Sequence, residues 1–392
     1  MLAFVSTGAS IVPTRATCDE PCTQYKAADI ANARLNVQRY RWAQQIVEGW
    51  RRRVAHLMTK DRAFIDEMIS EQTPWSTYGQ NCPVCVNEQS SMGECNLYRW
   101  KVSAPDQLVC KYCETVYPNP KYPETGVLTC PRMGQTFSFY ETDAERAHPE
   151  DTSGKFAFRW VRWPVHTSWT GIIRSKKAGH VINMALPLAK LYAVTGEVGY
   201  AERAAWILDR FARVFPNYLF HSYNGTFADC PPAEAARELG LHPRAGRFSK
   251  EVIVNAFGLH QFKDHAQLNV GFWGAGRYSC SGGDGSTILQ MVVAFDLIRA
   301  ARFPDGTPVL TAEVERRIKD DLLLAGCADS ENWKEINNKC GPGRALSAAI
   351  GILFERPESV RYALDGFQQL MNGCFHSDGF CMESTSYSSM HL

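Results

Sequence analysis

Apolar side chains recur every three or four residues along most of this 392-residue chain, which is the period of amphipathic helices. The first such run covers about residues 25–59, and a shorter one covers 61–71. Gly196 suits the C-terminal cap of one later helix, and Pro216 suits the end of the next. Helices of 10–20 residues joined by short turns favour an all-α array of helical hairpins. The further predicted helices cover about residues 178–194, 200–214, 250–268, 285–302, 311–325, 344–354 and 358–372.

Three segments lack the helical period. Residues 1–23 carry Pro, Thr and Cys without regular spacing, so we predict a poorly ordered N-terminus. Residues 74–140 are rich in Cys, Pro, Gly and Tyr and contain short β-prone runs at 107–110 and 136–140, which predicts an inserted β module. Residues 143–175 have the composition of a loop with many aromatic and basic side chains.

The inserted segment contains two Cys-x-x-Cys pairs, Cys82/Cys85 and Cys110/Cys113. Two thiolates on one tight turn reach a single ion, and a second turn completes a tetrahedral site. The pairs are separated by 24 residues, somewhat more than usual for a zinc ribbon. We predict a structural zinc ion, because four cysteine ligands leave no open position for catalysis. Two disulfides, free thiols, or replacement of one ligand by Cys95 or Cys130 are the alternatives.

Charge and hydropathy exclude some classes of protein. Lys and Arg total 42 against 41 acidic residues, so the net charge is +1, and no global field favours nucleic acid or a membrane surface. No apolar run reaches the roughly 18 residues that a bilayer span needs. The N-terminus lacks a basic first segment and is no convincing signal peptide. Export to the periplasm or the extracellular space and a cytoplasmic location both stay open on composition alone.

A run of basic and aromatic residues between positions 159 and 177 is a candidate carbohydrate site. Flat aromatic faces pack on sugar rings, and guanidinium groups bind carboxylate or sulfate. Arg159, Trp163 and His166 are the candidates in the run, and His221 lies in a similar polar loop beside aromatic residues. The alternative is a surface loop whose aromatic side chains pack on neighbouring helices.

Residues 332–387 combine two apolar-periodic segments, 345–354 and 360–371, with polar groups at their ends. Asn337, Asn338 and Lys339 precede the first segment, and Tyr387 follows the second in the sequence DGFCMESTSY. The N-N-K triplet, the small-residue helix, G-I-L-F and D-G-F-x-x-E-S-T-S-Y together resemble the heparinase II/III and alginate lyase superfamily. These are polysaccharide lyases built on an incomplete (α/α) toroid. The resemblance extends to residues 32–36, 40–42, 191–201 and 296–298, and so covers the chain from about residue 24.

The resemblance implies a fold, a reaction and a set of residues. Residues 24–392 would form the toroid, with the zinc-ribbon-like module inserted at 74–140, whereas the family's C-terminal β-sandwich has no counterpart in this sequence. The substrate would be an acidic, uronate-containing polysaccharide cleaved by β-elimination. Asn338 would neutralise the substrate carboxylate, Asn337 and Lys339 would help to bind it, and Tyr387 would act as base and acid.

One position departs from part of the family. Several relatives have a histidine directly after the Asn pair, as a base for one uronate epimer, whereas this chain has Lys339. That difference favours Tyr387 acting alone. We expect Asn338, Tyr387 and at least one of the basic candidates, which also include Arg277, to face one concave surface. The alternatives are a glycoside hydrolase using carboxylates such as Asp284, Asp378 or Glu383, and a non-catalytic glycan-binding scaffold.

Overall fold

A computed structural model describes the chain at residues 20–74, 82–85, 97–129, 134–141, 143, 147, 160–162, 167–222, 226–228, 275–279, 282–331, 340–373 and 375. Over these residues the protein is mostly helical with a few small sheets, which confirms the largely all-α prediction. The closure of the helices into an incomplete toroid stays a prediction. The helices are α1 Ala27–Arg39, α2 Arg41–Met58, α3 Arg62–Met68, α4 Trp169–Ile182, α5 Ala185–Thr195, α6 Val198–Val214, α7 Gly285–Ile298, α8 Ala312–Arg317, α9 Ala325–Glu331, α10 Cys340–Leu353 and α11 Pro357–Gly373.

The helices pack in two rows. Helices α5, α7 and α10 are rich in buried residues and form a continuous central row, with α7 in contact with both others. Helices α6 and α11 each pack one apolar stripe against a member of this row. The charged residues of α11 are exposed, whereas Asp209 of α6 is buried and forms ion pairs with arginines. Because α5 and α6, and α10 and α11, are joined by short turns, each pair forms an antiparallel hairpin.

Helix ends follow from local chemistry. Gly196 ends α5 in the left-handed conformation, at φ 77°, as expected for a C-terminal glycine cap. Pro216 lies in a short 3₁₀ turn directly after α6. The run predicted as one helix over residues 25–59 is two helices, because Tyr40 between them adopts an extended conformation.

The predicted loop over residues 143–175 is wrong from Trp169 onward, where α4 begins. Ser168 caps this helix by accepting a hydrogen bond from the Gly171 N–H at 3.1 Å. The helical period of α4 is hard to see in the sequence because one position of its buried face is charged. This residue, Lys177, forms ion pairs with Glu67 and Asp106. The helix predicted over 178–194 is also divided after Ile182. Pro187 has no N–H to donate to the carbonyl four residues earlier, so α5 starts anew.

The strands form three small antiparallel sheets among the described residues. One has the order β1-β2-β3, a second pairs β4 with β5, and the third has the order β6-β8-β7-β9. The first two lie in the predicted β module. The strands are β1 Tyr98–Trp100, β2 Leu108–Cys110, β3 Val116–Tyr117, β4 Gly126–Thr129, β5 Thr136–Phe139, β6 Trp160–Arg162, β7 His221–Ser222, β8 Thr226–Ala228 and β9 Ala275–Gly276.

Helices α8 and α9 are joined by a π-helical stretch, Ile318–Leu324, so that the backbone stays helical from Ala312 to Glu331. The helix predicted over 250–268 and most of the N-terminal segment 1–23 lie outside the described residues. None of the helices in the described part of the chain has the length and apolarity needed to cross a lipid bilayer.

Candidate functional site

The β1-β2-β3 sheet carries one of the two cysteine turns. Cys110 is the last residue of β2, and the chain reverses through Cys113 before β3 begins. The Cys110 N–H donates to the Thr115 carbonyl at 3.0 Å, and the Glu114 N–H donates to the Cys110 carbonyl at 3.1 Å. Glu114 has φ 60°, so the turn closes through a left-handed residue. This tight reversal directs both sulfur atoms of the turn to the same side.

The four cysteine sulfurs converge on one point. Cys82 Sγ lies 3.5 Å from Cys113 Sγ, and Cys85 Sγ lies 3.5 Å from Cys110 Sγ. All four sulfurs lie within 4.8 Å of one another. Zn–S bonds of about 2.3 Å in a tetrahedron place sulfurs about 3.8 Å apart. All four cysteines are free thiols, so neither pair closes a disulfide. Each of the two 3.5 Å distances runs from a sulfur of one turn to a sulfur of the other, as a shared ion requires.

The protein supplies hydrogen-bond donors to these sulfurs. Tyr117 Oη lies 3.1 Å from Cys82 Sγ, and Thr115 Oγ1 lies 3.2 Å from Cys113 Sγ. Burial raises the pKa of Cys113, but hydrogen bonds from the Thr115 hydroxyl and backbone N–H outweigh it and lower that pKa to about 6. Burial raises the pKa of Cys110 and of Cys85. Among Cys85, Cys110 and Cys113, Cys113 is therefore the thiol that loses its proton most readily.

This donor set fits a divalent, thiophilic ion. Four thiolates around Zn²⁺ carry a net charge of −2, which a half-buried site tolerates only when donors point at the sulfurs. Tyr117, Thr115 and the backbone N–H groups of Tyr112 and Cys113 meet that need. An all-sulfur tetrahedral set suits zinc and also iron. The residues can hold an ion, and no position is left for a substrate.

An aromatic cluster connects the cysteines to helix α4. The ring of Trp169 stacks on Tyr117, with centroids 4.3 Å apart and planes at 13°. Trp169 Nε1 donates to Tyr98 Oη at 3.0 Å, and all three rings are buried. The apolar core around the cysteines also includes Ile172 and Ile173 of α4. The core of the module therefore extends beyond the predicted limit at residue 140 and is completed by a helix.

Sequence reasoning did not single out Tyr117 or Trp169 as part of this centre. Trp169 belonged to the basic-aromatic run, for which docking on neighbouring elements was one of the two interpretations. For Trp169 the packing interpretation is the correct one, because the side chain is fully buried against neighbouring elements. The high Tyr content of residues 98–140 is the one feature of the sequence that indicates an aromatic core beside the cysteines, because aromatic rings supply much apolar surface to a small module.

The third sheet contains His221, one of the predicted substrate-binding residues. Strand β6 follows Arg159 directly and pairs with β8, β8 pairs with β7, and His221 of β7 lies opposite Gly276 of β9. Segments from three distant parts of the sequence are thus neighbours in one sheet. His221 itself is buried, and its Nδ1 lies 2.9 Å from the Leu219 carbonyl oxygen. Burial lowers the pKa of His221, so the ring is neutral near pH 7.

Arg277 is also buried, and its guanidinium group is engaged within the protein. Its Nε donates to Asp329 Oδ2 at 2.5 Å and its Nη2 to Asp329 Oδ1 at 3.2 Å. Its Nη1 lies 3.3 Å from the Pro216 carbonyl, and the guanidinium covers the Phe215 ring. Burial raises the pKa of Asp329, and the charge of Arg277 opposes that rise. Arg277 therefore joins α9 to the segment after α6, and substrate binding by Arg277 stays a prediction.

Asp284, a candidate acid or base for the hydrolase alternative, is fully buried. Its carboxylate accepts backbone N–H groups from Arg277 at 2.7 Å, Tyr278 at 2.9 Å and Ser279 at 2.5 Å. A carboxylate surrounded in this way fixes the loop after β9 in place. It also lacks the exposed face through which a catalytic carboxylate exchanges protons.

Several predicted residues lie outside the described part of the chain, and their roles stay predictions. These are Asn337, Asn338, Lys339, Tyr387, Arg159, Trp163, His166, Asp378, Glu383, Cys95 and Cys130.

Comparison with known proteins adds no assignment. No family model matches the chain, and no curated protein or solved structure matches it significantly.

Proposed function

We propose that the chain is a helical polysaccharide lyase, acting on a uronate-containing acidic glycan, whose inserted module is held together by a structural zinc ion. The observation that carries the zinc assignment is the convergence of four free thiols from two turns within 4.8 Å. Zinc supplies four bonds that replace a larger apolar core in a small module. Tyr117 and Thr115 orient and partly neutralise the sulfurs, and Trp169 packs the centre on α4.

Metal content tests the zinc assignment. The purified chain should contain about one zinc per molecule by plasma mass spectrometry, as a single four-coordinate site requires. Cys110→Ser should lose the metal and lower the thermal midpoint. Cys327→Ala is the matched control, because Cys327 is a buried thiol outside the cluster. Equal metal content in both variants, or iron in place of zinc, would contradict the assignment.

The lyase assignment is supported by the sequence resemblance, by the helical hairpins, and by the third sheet. In that sheet, β6 begins one residue after Arg159 in the sequence and pairs with β8, which pairs with the strand that holds His221. The Asn337–Lys339 triplet directly precedes α10, so it stands at the start of the α10/α11 hairpin in the sequence. Tyr387 follows the same hairpin.

The chemistry of elimination sets the roles. The C5 proton of a uronate is weakly acidic, so the carboxylate on C5 must accept hydrogen bonds as charge moves onto it. The Asn338 amide offers N–H donors that do not titrate, and Lys339 adds a positive charge. Tyr387 takes the C5 proton and then protonates the departing O4, which one phenol does when nearby cations lower its pKa from about 10.

The test is Tyr387→Phe in the full chain, which keeps the ring and removes its titrating atom. Turnover, followed by the ultraviolet absorbance of the unsaturated uronate product, should fall by about 10²–10⁴-fold. The thermal midpoint and glycan binding should stay close to wild type. A packing role predicts the opposite pattern, with lowered stability and a near-normal rate per folded molecule. If hydrolysis products without the unsaturated absorbance appear, the hydrolase alternative replaces the lyase.

A further inference from the structure

Helix α2 carries a surface groove whose lining includes neither the four clustered cysteines nor any residue proposed for the elimination. The groove has a volume of about 680 Å³ and lies along one face of α2, where α1 and the end of α5 add Val37 and Thr195. Polar side chains of α2 line it at helical spacing, among them Arg41, Gln45 and Arg52. The opposite face of the helix is buried in the core. The groove is thus a polar concave surface on a firmly packed element.

The charge of α2 differs from that of the chain. The helix contains four arginines and one glutamate, although the whole protein has a net charge of only +1. Arg51 forms an exposed ion pair with Glu197 at 2.7 Å. Within the described residues, no carboxylate pairs with Arg41 or Arg52. These two guanidinium groups can bind an anion from outside the protein.

The spacing of the two arginines indicates the size of that anion. Arg41 and Arg52 are eleven residues apart, which is roughly 16 Å along a helix axis. A single phosphate or sulfate contacts one of them at a time. Only an extended polyanion reaches both.

An aromatic pair stands beside Arg41 at the start of α2. The rings of Tyr40 and Trp42 are nearly parallel, at 18°, with centroids 6.1 Å apart. Tyr40 is 47% exposed and Trp42 is 55% exposed, and Ile46 continues the apolar surface on the next turn. These three residues do not line the groove itself. Exposed flat rings next to Arg41 in the sequence suit a ligand with apolar ring faces and negative groups at its edges.

We propose that this surface of α2 is a second binding site, which holds an extended acidic glycan through residues other than Asn338 and Tyr387. The uronate identity of that glycan rests on the proposed lyase function. Single-stranded nucleic acid also stacks on aromatic rings, but proteins that bind it combine such rings with a strongly basic surface. The near-neutral net charge favours the glycan.

The experiment compares full-length variants by isothermal titration calorimetry, all carrying Tyr387→Phe so that the ligand is not consumed. The probes are hexasaccharides of polygalacturonate, alginate and heparin, with cellohexaose as the neutral reference. Arg41→Gln with Arg52→Gln should remove one of two binding events or weaken it about tenfold or more, since each arginine loses a charge-assisted hydrogen bond. Trp42→Ala should weaken the same event. Arg316→Gln with Arg361→Gln removes the same charge from α8 and α11 and should bind as the parent does.

The outcomes separate this inference from the lyase assignment. Binding that is equal in the two double variants, or absent for all acidic probes, overturns the α2 site, whatever the turnover of the wild-type enzyme. Groove-dependent binding of a single-stranded DNA 12-mer in place of the glycans also overturns it. Groove-dependent glycan binding supports it even if the wild type forms no unsaturated product, a result that would remove only the lyase assignment.

Discussion

Tyr117 contacts Cys82 with its hydroxyl group and Trp169 with its ring. Its hydroxyl lies 3.1 Å from Cys82 Sγ, and its ring stacks on Trp169. Burial raises the pKa of Tyr117, and the contact with Cys82 adds to that rise, so the phenol keeps its proton and donates it in a hydrogen bond. With an ion bound, Cys82 is a thiolate and can only accept.

Tyr117→Phe should therefore weaken the metal site without unfolding it. The ring and its stack on Trp169 remain, while one donor to the thiolate is lost. Loss of such an outer hydrogen bond weakens metal binding by about 10–100-fold. Competition with a chromogenic chelator measures the change.

Tyr112→Phe is the control, because the Tyr112 side chain is exposed although it lies between two ligands. Equal metal affinity in the two variants would show that the hydroxyl of Tyr117 has no part in holding the ion.

At the residue scale, the cysteines could be predicted and their surroundings could not. Spacing of two residues between cysteines is a local property, so Cys82, Cys85, Cys110 and Cys113 were identified from sequence alone. Tyr117 and Trp169 are 52 residues apart, and only tertiary packing makes them neighbours. The burial of Arg277 depends in the same way on Asp329, which is distant in sequence.

The helix ends were predicted correctly where glycine, which tolerates positive φ, or proline, which lacks an N–H, marks the end. Gly196 and Pro216 ended helices as expected, because each acts on its own backbone. The start of α4 was missed because the buried face of this helix includes a charged residue, Lys177, which breaks the apolar period. Only ion pairs with other elements let Lys177 be buried. Tyr40 divides α1 from α2 without any glycine or proline signal.

Two glycines of the helical region should respond in opposite ways to alanine. Gly196 lies at φ 77°, where a side chain is strained although the space around it is open, so Gly196→Ala should destabilise the protein by about 1 kcal/mol. Gly49 lies inside α2, and a β-carbon at this position would meet no atom within 4 Å. Gly49→Ala should therefore stabilise the protein by about 0.5–1 kcal/mol. Urea unfolding of both variants gives the two differences. Shifts of the same sign would show that the backbone at one of the two positions differs from that described.

At the scale of the whole molecule, the β module contacts the helices around His180 of α4. His180 of α4 lies 5.5 Å from the Trp100 ring of β1 and 6.0 Å from the His56 ring of α2, measured between ring centroids. Burial lowers the pKa of His180 below 6.5, and His56 lowers it further. Lys177, one turn earlier, brings Glu67 and Asp106 to the same region.

Stability should therefore depend on pH through His180. Because its pKa is lower in the folded state than in the unfolded one, the unfolded state binds more protons between the two values. The contribution of neutral His180 to the free energy of unfolding is complete above about pH 6.5. It is lost as the pH falls from 6.5 towards the pKa of His180 in the folded protein. The free energy of unfolding, measured from pH 7.5 to 5, should fall less steeply in His180→Gln than in wild type. Parallel curves would exclude His180, since the effects of His221 and of the cysteine cluster are common to both proteins.

At the scale of the whole molecule, helical periodicity predicted the class of fold because it reports burial averaged over many residues. It did not predict how the helices pair with the β module. That arrangement depends on single long-range contacts, such as His180 with Trp100.

The position of Trp169 limits how the module can be inherited or engineered. A module that ends at residue 140 would lack the Trp169 ring, which packs in its core. The helices without the module would expose Trp169, which is buried in the intact chain. The transferable unit therefore includes the first turns of α4, and homologous exchange of this region should preserve the cysteines and that tryptophan together. A crossover between them would give two chimaeras. One would have a cavity beside its four cysteines, and the other would have an exposed indole on its surface.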